Sequence, residues 1–223
     1  FPIVALVGYT NAGKSTLFNR MTGADVMAKD MLFATLDPTM RKIELPGNGP
    51  EVILSDTVGF ISNLPTELVA AFRATLEEVT AADLIVHVRD ISHPESEEQA
   101  ADVAAILDSL GVQKEVPQLE LWNKVDRVDA EARPVLENRA ARSDNVYLMS
   151  AVTGEGIADV VEAIKEEIAG VTSVEVLHLG FDDGRRRAWL FEKGLVEDEA
   201  QDEDGYHLTV RWNARQAAQF EAI

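Results

Sequence analysis

The segment from residue 8 to residue 15 reads GYTNAGKS and fits the pattern G-x-x-x-x-G-K-[S/T]. An apolar run from Ile3 to Val7 predicts a strand before it, and residues Ser15 to Met21 predict a helix after it. This strand, loop and helix order is the context in which the pattern forms a phosphate-binding loop. The motif therefore constrains the chain strongly, because such a loop belongs to an α/β fold with a mostly parallel sheet.

The residue types in this loop match the chemistry of phosphate binding. Gly8 and Gly13 allow backbone torsions and close approaches that a Cβ would forbid, so successive N–H groups can point at a β-phosphate. Lys14 adds a positive charge near the β- and γ-phosphates, and Ser15 supplies a hydroxyl oxygen for Mg2+. The residues expected to line the phosphates are Gly8, Asn11, Ala12, Gly13, Lys14, Ser15 and Thr16.

Two later segments indicate that the base is guanine. NKVD at 123 to 126 follows the predicted strand Leu119 to Trp122, where Asp126 can accept hydrogen bonds from N1–H and the exocyclic amine of guanine. Asn123 can contact the other edge of the base, and the Lys124 stem can cover its ring. SAVTG follows the predicted strand Val146 to Met149 and places Ser150 beside Ala151, whose N–H we expect to meet the guanine 6-oxo group. Because unpaired polar groups in such a site reject an analogue by roughly 10⁴-fold or more, we expect GTP and GDP as ligands and exclude ATP.

A switch region is predicted between these motifs. DTVG at 56 to 59 follows the predicted strand Val52 to Ser55, so Asp56 would hold Mg2+ through water and the Gly59 N–H would sense the γ-phosphate. In LFATLDPT at 32 to 39, Thr35 is our first choice for a Mg2+ ligand that depends on the γ-phosphate, and Thr39 is the second. We assign Lys14, Thr35 and Gly59 to catalysis.

Phe60 stands where many signalling GTPases carry a water-orienting glutamine. An aromatic ring cannot orient water, so we expect hydrolysis at about 10⁻³ s⁻¹ or below until a partner completes the site. In the alternative interpretation Phe60 packs in the core, and Asn63 or Thr66 orients the water.

Four segments together resemble the HflX branch of the Obg-related translation-factor GTPases: GYTNAGKSTLFN, LFATLDPT, DTVGFISNLP and ELVAAFRATLEE. The resemblance covers about residues 1 to 168, while residues 174 to 223 are similar to the small C-terminal domain of many members only in position and size. It implies GTP hydrolysis stimulated by ribosomes, binding to the large ribosomal subunit, and rescue or splitting of stalled ribosomes. Because Phe1 lies on a core strand with no methionine before it, we expect that a preceding domain is missing and that it makes most contacts to ribosomal protein and rRNA.

The hydrophobic periodicity predicts an α/β domain over 1 to 170 and a small α+β domain over 174 to 223. Six strands are expected in a mostly parallel sheet with one antiparallel edge pair, joined by the turn PGNGP at 46 to 50. The helical stripe of Leu68, Val69, Phe72, Leu76 and Val79 is interpreted as core. The chain contains no cysteine and no apolar run of membrane-spanning length, so we expect a cytoplasmic monomer without a membrane span.

The net charge of −19 argues against bulk electrostatic binding to RNA. An alternative function, which Phe60 fits equally well, is a GTP-dependent binding switch with negligible turnover that acts on a non-ribosomal protein or RNA partner. Arg185, Arg186 and Arg187 form a basic spot, which we interpret as paired with the acidic run from Glu197 to Asp204, itself expected to be a flexible hairpin tip.

The sequence also suggests roles for Asn11, Trp122 and His87. Asn11 matches the asparagine with which some related GTPases use K+ beside the phosphates. Trp122 and His87 are expected to be core residues. The four histidines show no metal-ligand spacing in the sequence.

Overall fold

The computed structural model describes residues 1–23, 39–57, 59, 76–112 and 114–223. Internal contacts divide the chain into two compact units, Phe1–Glu166 and Glu167–Ile223. The boundary lies within a helix, a few residues before the predicted division at residue 170.

The first unit contains a six-stranded sheet with the order β2-β3-β1-β4-β5-β6. Its strands are β1 (Ile3–Gly8), β2 (Thr39–Glu44), β3 (Glu51–Asp56), β4 (Leu84–Asp90), β5 (Gln118–Asn123) and β6 (Val146–Leu148). The accompanying helices are α1 (Lys14–Thr22), the single turn α2 (Glu77–Thr80), α3 (Ser96–Ser109), α4 (Arg133–Ala141) and α5 (Ile157–Val171). Within the described ranges, no helix is both long and apolar enough to cross a bilayer.

The centre of this sheet forms because β1 and β4 are nearly continuous apolar strands, as expected for parallel strands that are covered on both faces. Ala5, Val7 and Ile85 are fully buried and pack in one cluster with Val103 and Leu107 of α3. Burial of each of the larger side chains in this cluster stabilises the folded state by about 1.5–3 kcal/mol.

Strand order gathers the motif-bearing ends at one edge of the sheet. β1 lies between β3 and β4 and is parallel to both, and β5 is parallel to β4. Gly8, Asp56 and Asn123 are the last residues of β1, β3 and β5. Since open α/β sheets bind ligands at the carboxyl ends of their strands, we expect the ligand-binding site at this edge.

The structure confirms the predicted mostly parallel sheet with its antiparallel edge pair, β2 with β3. The turn between them closes through hydrogen bonds from Leu45 N to Pro50 O at 3.1 Å and from Gly49 N to Leu45 O at 2.9 Å. Most predicted strands differ from the observed ones by one to three residues at an end. In the predicted helical stripe, Leu76 and Val79 are buried, whereas its first three members lie outside the described residues.

The second unit is a three-stranded antiparallel sheet with the order β7-β9-β8 and two helices. The bounds are β7 (Thr172–Leu179), α6 (Gly184–Glu192), β8 (Val196–Gln201), β9 (Tyr206–Asn213) and α7 (Ala214–Glu221). Leu190 and Phe220 of the helices pack with Leu208, Val210 and Trp212 of β9 to form its core. The small α+β module is confirmed.

The prediction for the acidic run was wrong in part, because most of it forms strand β8 rather than a hairpin tip. β8 pairs with β9, and two of its carboxylates are matched by arginines: Glu199 with Arg187 at 2.6 Å and Glu197 with Arg211 at 2.6 Å. These contacts explain how so acidic a segment forms a strand. The turn itself is limited to Asp202–Gly205.

Candidate functional site

The phosphate-binding loop joins the end of β1 to the start of α1. Within it, Ala12 N donates to Tyr9 O at 3.1 Å, and Leu17 N donates to Gly13 O at 3.0 Å to close the first helical turn. Asn11 and Gly13 have positive φ angles of 65° and 101°. The loop therefore turns sharply and presents the N-terminus of α1 toward the open edge of the sheet.

Both motif glycines are required by their surroundings. A Cβ on Gly8 would lie 2.4 Å from Val88 O, and a Cβ on Gly13 would lie 2.2 Å from Asn123 Nδ2. Each distance is shorter than any tolerable contact with a neighbouring atom. Gly8 thus allows β1 to approach β4, and Gly13 leaves room for the Asn123 amide.

Lys14, Ser15 and Asp56 form the charged part of the site. Ser15 Oγ donates to Asp56 Oδ2 at 2.8 Å, and Lys14 Nζ lies 3.9 Å from Asp56 Oδ1. Burial lowers the pKa of the Lys14 ammonium, whereas the Asp56 carboxylate raises it. A hydroxyl and a carboxylate oxygen side by side are donors that suit Mg2+, so Ser15 and Asp56 fit this ion.

The predicted switch residues are described only in part. Gly59 is buried, and a Cβ on it would come within 3.1 Å of Thr10 Cα and Oγ1, so its backbone lies against the phosphate-binding loop. Thr39 begins β2 and pairs with Asp56 in the sheet, although its side chain is outside the described part. Thr35, Phe60, Asn63 and Thr66 also lie outside the described residues.

Asn123 and Lys124 connect the predicted base-recognition motif to the phosphate-binding loop. The buried Asn123 donates from Nδ2 to Ala12 O at 2.9 Å and accepts from Ala151 N at Oδ1, also at 2.9 Å. Lys124 has a positive φ of 68°. Its Nζ donates to Asn11 O at 2.6 Å and pairs with Asp90 at 3.1 Å.

The two segments predicted to recognise guanine also contact each other directly. Ser150 Oγ donates to Asp126 Oδ1 at 2.7 Å, which orients the exposed Asp126 carboxylate. The Ala151 amide, which we expected to meet the guanine 6-oxo group, donates to Asn123 in this structure. The structure therefore gives Asn123 a positioning role in addition to the base contact predicted for it.

Sequence reasoning missed Arg20. On the last turn of α1, its Nε donates to Ala151 O at 2.7 Å and its Nη2 donates to Val152 O at 2.8 Å. A Cβ on Gly154 would lie 2.9 Å from Arg20 Nη1, so the loop wraps closely around the guanidinium. No local sequence signal identifies this residue, because its partners lie more than a hundred residues away in the chain.

The remaining sequence hypotheses have mixed outcomes. His87 and Trp122 are buried as expected, and Arg187 pairs with the acidic segment through Glu199. The spacing of the histidines in the sequence indicated no metal site, but the fold brings His178 and His207 close to Asp202.

Family models match both parts of the chain. A model described as a 50S ribosome-binding GTPase matches residues 3–124, and a model described as the HflX C-terminal domain matches residues 135–222.

Curated relatives support the same family. The GTPase HflX of Magnetococcus marinus is 47% identical over 207 residues, which are 93% of this chain and 47% of the relative. The GTPase HflX of Escherichia coli K12 is 43% identical over 204 residues, which are 92% of this chain and 47% of the relative. The putative GTP-binding protein 6 of Xenopus laevis is 38% identical over 202 residues, which are 89% of this chain and 37% of the relative. The chain spans about half the length of the HflX relatives it matches.

A solved structure is similar in fold over about three quarters of the chain. It is a GTP-binding protein from the archaeon Sulfolobus solfataricus in complex with GDP, with a TM-score of 0.59 and 27% identity over 76% of this chain and 53% of that one. The two family matches, the relatives and the arrangement of the nucleotide motifs agree. The chain belongs to the HflX family of GTPases.

Proposed function

We propose that this chain binds GTP and GDP with Mg2+, hydrolyses GTP slowly, and acts in the cytoplasm on the large ribosomal subunit to rescue or split stalled ribosomes. One observation carries the nucleotide part of this proposal: Asn123 is hydrogen-bonded to both Ala12 and Ala151. Through it the phosphate-binding loop and the two guanine-recognition segments form one connected surface at the carboxyl edge of the sheet.

In the proposed site the loop backbone from Gly8 to Thr16 holds the phosphates, and Lys14 neutralises charge on the β- and γ-phosphates. Ser15 and Asp56 would hold Mg2+, which supplies charge stabilisation to the phosphates when bound. Gly59 and either Thr35 or Thr39 respond to the γ-phosphate. K+ assistance through Asn11 remains a separate hypothesis, which equal hydrolysis rates in K+ and Na+ would contradict.

Guanine selectivity follows from the orientation of Asp126. Ser150 occupies one carboxylate oxygen, which holds the carboxylate so that it can accept from the base N1–H and the exocyclic amine. Asn123 and Lys124 contribute the remaining base contacts, and the Ala151 N–H can donate to the guanine 6-oxo group while it stays beside Asn123 Oδ1.

The ribosomal part of the proposal is supported by the match to the 50S ribosome-binding GTPase model over 3–124. A net charge of −19 opposes direct binding to a phosphate backbone. We therefore place the rRNA contacts mainly in a domain outside this sequence, and assign contacts with ribosomal proteins to the chain itself. The same charge favours the second candidate, a GTP-dependent switch with negligible turnover that acts on a non-ribosomal partner.

The test compares GTP hydrolysis by this chain with and without purified large ribosomal subunits, with the full-length Escherichia coli relative run in parallel. Stimulation of this chain by tenfold or more supports the ribosomal function. Tight GTP binding with an unchanged rate in both proteins favours the non-ribosomal switch, whereas stimulation of the full-length relative alone assigns docking on the ribosome to the domain outside this sequence.

Variants make the nucleotide part testable by itself. Lys14→Ala should abolish GTP binding, and Asp126→Asn should shift preference from guanine to xanthine nucleotides, because the new amide donates where the carboxylate accepted. Unchanged GTP affinity and selectivity in both variants would overturn the nucleotide site.

A further inference from the structure

Two histidines of the second unit face each other across neighbouring strands. His178 of β7 and His207 of β9 are direct register partners, and their ring centroids lie 4.6 Å apart. Their neighbours Leu179 and Leu208 are buried in the core. Because successive side chains of a strand point to opposite faces, both imidazoles lie on the face of the sheet away from that core.

A carboxylate completes this group from the turn between β8 and β9. Asp202 Oδ2 lies 2.5 Å from His207 Nε2. The other carboxylate oxygen, Oδ1, accepts hydrogen bonds from the backbone of Asp204 at 2.8 Å and of Gly205 at 3.1 Å. The turn backbone therefore holds one oxygen of Asp202 and directs the other toward the imidazoles.

The fold holds the turn close to β7. Gly205 has φ of 148°, and a Cβ on it would lie 2.2 Å from Leu179 O. Only glycine permits this approach of the turn to the end of β7, one residue beyond His178. Backbone packing thus holds the turn that carries Asp202 close to the strand that carries His178.

We propose that His178, Asp202 and His207 form a Zn2+ site, separate from the nucleotide site. One ligand atom from each residue lies within 4.8 Å of the other two. A tetrahedral zinc ion with bonds of about 2.0 Å separates its ligand atoms by about 3.3 Å, so modest side-chain rotations are sufficient. His178 and Asp202 are exposed and His207 is partly exposed, which permits these rotations and leaves room for water as a further ligand.

The donor set decides the class of metal. Two imidazoles with one carboxylate suit Zn2+ and its transition-metal neighbours, whereas Mg2+ and Ca2+ prefer sites made of oxygen atoms. Asp202 supplies the carboxylate, with Oδ2 directed toward His207 Nε2 at 2.5 Å. The hydrogen bonds that Asp202 accepts from the backbone of Asp204 and Gly205 would hold its carboxylate in a fixed orientation toward the metal.

The experiment measures Zn2+ binding to the full chain by calorimetry, with any affinity tag removed and with excess Mg2+ and GDP present to saturate the nucleotide site. The variants are His178→Ala, His207→Ala and Asp202→Asn, the last of which keeps the oxygen that accepts from the turn backbone. Asp204→Asn removes one charge from the same turn without removing a ligand, and His93→Ala removes an exposed histidine of the first unit. Urea unfolding without Zn2+ confirms that each variant folds.

The proposal predicts one Zn2+ per chain at this site, with affinity reduced tenfold or more in each ligand variant and within twofold of the parent chain in both controls. Millimolar Mg2+ should not compete. In the parent chain, Zn2+ should also shift the imidazole NMR signals of His178 and His207, a readout that requires no variant. The site would be overturned by any of three results: equal Zn2+ affinity in all proteins, a loss of Zn2+ affinity in Asp204→Asn equal to that in the ligand variants, or unshifted imidazole signals. The histidines and Asp202 would then be a metal-free surface contact.

Discussion

The Asn123 side chain accepts a hydrogen bond from the Ala151 amide at 2.9 Å and donates one of the same length to Ala12 O. Asn123 is 2% exposed, so neither bond is readily replaced by water. A single residue at the end of β5 therefore sets the distance between the phosphate-binding loop and the loop that follows β6.

Asn123→Ala should leave the Ala12 carbonyl and the Ala151 amide without this partner. Each buried group left unsatisfied costs about 1–3 kcal/mol, so we expect GDP affinity to fall by thirtyfold or more and the protein to lose stability. Fluorescent GDP titration and urea unfolding measure the two effects. Asn145→Ala changes an exposed asparagine and serves as the control. Equal GDP affinity in the two variants would contradict the positioning role.

Arg20→Met should weaken nucleotide binding through the loop that it holds. It removes the hydrogen bonds to Ala151 O and Val152 O, which lets the segment after β6 move away from the base. We expect GDP affinity to fall about three- to tenfold, mainly through faster release. Each hydrogen bond to a charged group contributes about 1.5–3 kcal/mol, and we expect most of this loss to lower the stability of the protein and the remainder to lower its affinity for GDP. Stopped-flow release of fluorescent GDP measures this, with the exposed Arg142→Met as the matched control. An unchanged release rate would show that the loop holds its position without Arg20.

Gly205→Ala should destabilise the second unit. The substitution places a residue at φ of 148° and a Cβ 2.2 Å from Leu179 O, so a loss of about 1–3 kcal/mol is expected from backbone strain, before any steric clash is counted. Gly184→Ala is the matched control, because a Cβ there meets nothing within 4 Å at the first residue of α6. Hydrogen exchange of the amides in β7 and β9 locates the effect. Equal protection in the two variants would contradict the close approach of the turn to β7.

His87 should make the first unit less stable in mild acid. Burial lowers its pKa to about 4, with Arg89 acting in the same direction and Glu120 opposing it. Above the usual pKa of about 6.5 the imidazole is neutral in both states. Between 6.5 and 4 the unfolded chain binds a proton that the folded chain does not, so the free energy of unfolding falls as pH falls, by at most about 1.4 kcal/mol per pH unit.

The test for His87 is urea unfolding of the parent chain and of His87→Gln between pH 7.5 and 5. The difference between their pH slopes isolates this residue, because carboxylates common to both proteins cancel. The variant should have the shallower slope. Parallel slopes would show that His87 takes up its proton equally in the folded and unfolded states.

The nucleotide motifs were readable because their chemistry depends on short spacings within one strand, loop and helix. GYTNAGKS and NKVD each place their functional atoms within a few residues, and apolar strands before them indicate that both lie at the carboxyl edge of a sheet. The predicted α/β class and the antiparallel edge pair follow from the same local periodicity. The third strand of the small unit was missed because β8 is rich in acidic residues, and its pairing depends on β9 and on arginines elsewhere in the chain.

By itself, the sequence determined the phosphate-binding loop and the combination of an α/β part with a small α+β part, and it predicted guanine recognition by NKVD and SAVTG. Only the tertiary structure decided that Arg20 holds Ala151, a residue 131 positions away, and that His178 lies opposite His207 with Asp202 beside them. The physical reason is that local motifs need only the torsions and side chains of adjacent residues. Contacts between distant residues depend on strand order and register, which are set by the packing of the whole sheet.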